Sequence, residues 1–171
     1  LIDQELLGIG YWTIRLLTFI MFFAAGLFLF EILKKTPFIS LAQSRSIVLL
    51  FLIFPLNHAR VPLVMFGYTT SYFLFFLAWM LLVKRSSWIS FLSAYVCFIW
   101  SFMTHSFLTF TLLPILHFAY LHREKLICRK PNSKSLTQFI LLIGSPVLYY
   151  VLRSLYWQPA PEYLWYHTIY F

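Results

Sequence analysis

The sequence predicts an all-α, polytopic integral membrane protein, and three observations lead there. Of its 171 residues, 61% are hydrophobic and 22% aromatic, whereas an ordinary soluble domain is roughly 45–50% apolar. Only 11% are charged, while 20 Phe, 11 Tyr and 6 Trp exceed what the core of so short a chain can enclose. Long apolar runs alternate with short basic clusters. A disordered chain, a collagen and a soluble globular domain are thereby excluded.

The formal net charge is +8, which in a soluble protein would point to nucleic acid. Here ten of the thirteen basic residues sit between apolar runs, as Lys34, Lys35 and Arg45, as Lys84 and Arg85, and as Arg123, Lys125, Arg129, Lys130 and Lys134. Such clusters hold loops on the cytoplasmic side. The excess is therefore read as a topology signal with an attraction for anionic lipid headgroups, and nucleic acid is not expected as a partner.

Residues 13 to 33 are 21 nearly uninterrupted apolar positions, roughly 31 Å at about 1.5 Å each, which matches the hydrocarbon core. Lys34-Lys35-Thr36-Pro37 ends this span. Apolar residues resume from Phe38 to Phe54, interrupted by Gln43, Ser44, Arg45 and Ser46; Arg45 can snorkel, so this span is short or starts at the interface. Residues 55 to 62 form a polar break bracketed by Pro55 and Pro62, which resist helix continuation. Residues 63 to 83 make the next full span, closed by Lys84-Arg85.

Trp88 to Met103 and Phe107 to Leu121 are shorter, joined through Thr104-His105-Ser106; at roughly 24 and 22 Å they suit a hairpin whose tip dips below the outer surface. Residues 122 to 134 form the largest basic loop, residues 136 to 152 the last span with a kink expected at Gly144 and Pro146, and Arg153 to Phe171 an aromatic interfacial tail. This makes about six passes in a single helical domain over residues 1–171, with the amino terminus outside. Starting at Leu1 and stopping within an aromatic stretch, the chain reads as a piece of a longer protein.

An ionisable side chain at membrane depth usually has a partner or a task. This topology puts Asp3, Glu5, Arg15, Asn57, His58, Arg60, His105, Arg153, Glu162 and His167 toward the outer face and Glu31, His117 and His122 toward the inner one. Asn57 and Arg60 share a face if their turn is helical, and the guanidinium fork suits a phosphate or diphosphate. Capping a helix or snorkelling to headgroups is the other reading of Arg60, and Arg153 repeats the case.

His105 could serve as a general acid or base or simply hold a turn, and Glu5 with Asp3 could orient a sugar hydroxyl. Tyr68 and Tyr72 are candidates for stacking on a sugar, or else lipid-facing packing surface. Cys97 and Cys128 fall at different depths, so no disulfide is expected. No pair of histidines has metal-ligand spacing, and no cofactor motif occurs.

Asn57-His58-Ala59-Arg60 and Thr104-His105-Ser106-Phe107-Leu108 together resemble the EpsG-type membrane proteins of bacterial exopolysaccharide and capsule synthesis, related in role to Wzy-like polymerases. That family shows an N-x-x-R element after a span, a long apolar helix, a Lys/Arg turn, another span, an F-x-H-S-like element and a Leu-Pro run. The likeness is carried by residues 57–116 and more loosely by the stretch from Glu5.

The resemblance implies polymerisation of oligosaccharide repeat units carried on undecaprenyl diphosphate, at the outer face of the cytoplasmic membrane. Arg60, His105 and Glu5 would then be catalytic, with Asn57, His58, Arg153 and Ser106 binding substrate. The partners implied are the polyprenyl-diphosphate-linked glycan, membrane lipids and other export or assembly proteins. Another multi-span lipid-linked-sugar glycosyltransferase, or a non-enzymatic flippase or assembly subunit, stays open beside it.

Overall fold

The computed structural model describes residues 2–53, 66–84, 87–103, 106–123 and 133–156, with only the backbone described for 2–11, 106 and 156. The regular elements among these residues are all α-helices: α1 (Ile2–Lys34), α2 (Leu41–Ile53), α3 (Phe66–Lys84), α4 (Trp88–Ser101), α5 (Ser106–Phe110), α6 (Leu112–Leu121) and α7 (Ser133–Tyr156). Three segments are long and apolar enough to cross a membrane: Trp12–Lys34, Phe66–Lys84 and Ser133–Leu155. Leu41–Ile53, Trp88–Ser101 and Phe107–Leu121 are shorter apolar helices.

Local chemistry explains where several helices start and break. The polar residues that shorten the apolar run over 38–54 lie in the first turns of α2. The Gln43 amide N–H donates to Ser40 Oγ at 3.3 Å and the Ser40 N–H donates to Gln43 Oε1 at 2.9 Å, a reciprocal capping box that satisfies two otherwise orphaned donors. In α6, Pro114 has no N–H to offer the Phe110 carbonyl, so regular helix lapses at Thr111 between α5 and α6. The chain nevertheless continues in helical register, with Thr111 N–H donating to Phe107 O at 3.0 Å and Ile115 N–H to Thr111 O at 3.2 Å.

Pro146 lies inside α7 and leaves the Leu142 carbonyl without its backbone donor. The neighbouring Ser145 hydroxyl donates to that carbonyl at 2.8 Å, and both residues are fully buried. Membrane helices tolerate proline where a side chain takes over in this way.

Helices α3, α4, α6 and α7 form a ring in which α3 and α7 each pack against both α4 and α6, while α1 packs on α3 and α2 on α1. The core is Phe75, Ala78 and Leu82 of α3, Phe91, Ala94 and Phe98 of α4, then Phe102, Phe107, Phe118 and Leu142. Phe75 stands at its centre, stacked on Phe107 at 4.9 Å and edge-on to Phe98 at 5.5 Å. Where α1 meets α2, a Cβ on Gly26 would come within 2.9 Å of Leu52 Cδ2; the missing side chain lets the two helices close.

The interior holds small polar residues and the surface is oily. Ser44, Thr69, Ser71, Ser90, Ser101, Thr111, Ser135 and Ser145 are buried, while Trp12, Phe19, Ile53, Ile89 and Trp100 are exposed. Most of the hydroxyls donate to a carbonyl one turn back, as Ser44 to Ser40 at 3.0 Å and Thr111 to Phe107 at 2.8 Å. Water would reverse this distribution; hydrocarbon favours it, because small residues let helices approach while large apolar ones meet lipid.

The two ends of the bundle differ in charge. Phe38, just past α1, meets the Tyr120 ring at 5.2 Å, and Arg123 lies over the Tyr120 ring at 5.2 Å. One turn earlier on α6, His117 receives the Trp79 indole N–H at 3.1 Å, so α3 runs toward the same end and places Lys84 there. Phe118 pairs with Phe139 at 6.4 Å, which brings Lys134 to this end as well. Lys34, Lys35, Arg45, Lys84, Arg123 and Lys134 thus gather at one end.

Candidate functional site

At the opposite end, the start of α3 and the end of α4 enclose a pocket of about 400 Å³ lined by Phe66, Gly67, Tyr68, Thr70, Ser71, Trp100 and Met103. Gly67 leaves open space beside this lining, where a Cβ would meet nothing within 4 Å. Tyr68 and Trp100 present exposed rings, 48% and 63% accessible. Thr70 and Ser71 spend their protons on the carbonyls of Phe66 and Gly67, at 2.9 and 3.0 Å. Their hydroxyl oxygens therefore keep lone pairs for a ligand's donors.

Phe66 follows Arg60 by six residues and Met103 precedes His105 by two, so both motif-bearing segments join the described chain at the rim of this pocket. Asn57, His58, Arg60 and His105 themselves lie outside the described residues. Glu5 and Ser106 are described by backbone alone, Glu5 within α1 and Ser106 as the first residue of α5. Asp3 stands with Glu5 in the same helix, which begins well before the predicted span.

Arg153 is half-buried on α7, one turn beyond Tyr149. The Tyr149 ring sits edge-on to Phe102 at 5.8 Å, which brings this turn of α7 to the same end as Met103. Tyr72, by contrast, is occupied in packing: its ring meets Phe107 edge-on at 4.7 Å. Of the two tyrosines considered for sugar stacking, only Tyr68 lines the pocket. Among the described residues no group of three His, Cys, Asp or Glu could hold a metal ion.

A second cavity of about 420 Å³, lined among the described residues by Phe38, Ile39, Ala42, Gln43, Ser46 and Ile47, lies at the basic end. His117 is the ionisable residue whose structural part the sequence did not convey. Its Nδ1 accepts from Trp79, and its Nε2 is buried with no hydrogen-bond partner among the described residues. A histidine in an apolar run was the available signal, but nothing in the sequence linked it to an indole 38 residues away. No family model, curated protein or solved structure matches the chain.

Proposed function

We propose that this chain is the membrane-embedded part of a bacterial glycosyltransferase that joins undecaprenyl-diphosphate-linked oligosaccharide units, as exopolysaccharide and O-antigen polymerases do, at the outer face of the cytoplasmic membrane. The observation that carries the reading is the meeting, at the rim of one pocket, of the chain ends leading to Asn57-His58-Ala59-Arg60 and to His105-Ser106. That pocket lies at the end of the bundle away from the lysines, which supports an external site and a cytoplasmic basic end. In this reading the short helices α2, α4 and α5–α6 complete six passes.

Glycosyl transfer from a lipid diphosphate needs its departing charge stabilised, and this is commonly the largest catalytic contribution. Arg60 takes that task through its bidentate fork, with Arg153 second and Asn57, His58 and Ser106 holding the glycan. His105, Glu5 or Glu162 receives the proton of the attacking sugar hydroxyl. The test is chain extension in cells lacking the native protein. Arg60→Ala should insert normally and give no long glycan on gels, and Arg60→Lys should restore little of it. Long polymer from Arg60→Ala removes Arg60 from the mechanism.

A further inference from the structure

The pocket between α3 and α4 has features that a phosphate site does not need. Among the described residues no cationic side chain lines it, and its lining includes two exposed aromatic residues, Tyr68 and Trp100, and two hydroxyl residues whose protons are already committed to backbone carbonyls. An aromatic face is complementary to the C–H-bearing face of a pyranose, and acceptor-only hydroxyls are complementary to sugar O–H donors. A polyprenyl tail would use the rings but not the lone pairs of the Thr70 and Ser71 hydroxyls. The volume, about 400 Å³, falls in the range of small-molecule sites.

We infer that this pocket binds one neutral sugar residue of the glycan, with Tyr68 and Trp100 as its stacking platform and Thr70 and Ser71 accepting hydrogen bonds from ring hydroxyls. The inference deepens the proposed function and rests on it for the identity of the glycan, but it specifies a saccharide site separate from the diphosphate. It also gives Gly67 a role: the residue keeps the sugar's volume clear.

Gly67 supplies an unusually clean variant. Gly67→Leu projects into open space and raises helix propensity, so it should fold at least as well as the parent. The experiment titrates detergent-purified protein with a panel of neutral tetrasaccharides of hexose and N-acetylhexosamine, and separately with sugar-free undecaprenyl phosphate, following tryptophan emission. Trp100→Phe identifies the reporting indole.

Expected is saccharide binding by the parent, weakened about tenfold or more by Gly67→Leu and by Tyr68→Ala, with undecaprenyl phosphate binding unchanged. If Gly67→Leu blocks undecaprenyl phosphate and spares saccharide, the pocket holds lipid and the inference fails. If the parent binds no saccharide, or Gly67→Leu binds it as the parent does, while cells still extend glycan, the inference fails and the proposed function stands. Absence of glycan extension by the parent, with saccharide binding intact and sensitive to Gly67→Leu, would instead retain the sugar site and overturn the polymerase reading.

Discussion

Trp79 donates its indole N–H to Nδ1 of His117 at 3.1 Å, across the contact between α3 and α6. Because Nδ1 accepts, the neutral ring carries its proton on Nε2, and the bond fixes both the tautomer and the relative position of two helices. Interhelical hydrogen bonds in membrane proteins are worth about 0.6 kcal/mol on average and up to about 1.7. Trp79→Phe should therefore lower resistance to unfolding in mixed micelles by about 1 kcal/mol, and adding His117→Leu to it should cost little more. Additive losses from the two substitutions would show that the pair is not coupled.

Ser145 compensates for Pro146. Ser145→Ala strips the buried Leu142 carbonyl of its donor, at a cost of about 1–3 kcal/mol for an unsatisfied buried group. Replacing Pro146 by Ala in the same protein restores a backbone N–H, so Ser145→Ala/Pro146→Ala should regain most of the loss. Micellar denaturation of the three variants checks this, and a double variant no better than Ser145→Ala refutes it.

Gly26 sets the separation of α1 and α2. Gly26→Ala meets only the flexible end of Leu52, at 2.9 Å for Cδ2, and it gains helix propensity, so stability should change little. Gly26→Leu forces the helices apart and should cost about 1–3 kcal/mol, partly recovered by Leu52→Ala. The same denaturation assay reads both.

The charge separation of the bundle predicts sidedness. With Cys97 and Cys128 changed to Ser, a membrane-impermeant maleimide applied to intact cells should label Arg153→Cys and leave Lys35→Cys and Lys84→Cys unmodified until the cells are opened. Labelling of Lys35→Cys from outside would invert the orientation.

Apolar length alone located the three long segments, because 20 or so oily residues in a row have few other places to go. What it could not supply was the inward face of each helix. In a chain apolar on every side, the usual amphipathic stripe is absent. The interior is marked instead by small and hydroxylated residues such as Ser71, Ala78, Ser90, Ala94 and Ser145. The sequence marked α2 as short, but the reciprocal bonds between Ser40 and Gln43 that start it could not be read from residue types alone. Of the residues that line the pocket, the sequence singled out Tyr68, but the packing of Tyr72 on Phe107 depends on a neighbour distant along the chain.

Helices α2 and α4, with 13 and 14 residues, rise only about 20 Å, against roughly 30 Å of bilayer hydrocarbon. In the proposed six-pass arrangement, lipids bordering them would taper to meet so low a wall, and every ångström of misfit costs a fraction of a kcal/mol. Short-tailed phospholipids would relieve that misfit and long saturated ones would aggravate it. The acyl composition of the surrounding membrane would then bear directly on how stably these helices sit in it.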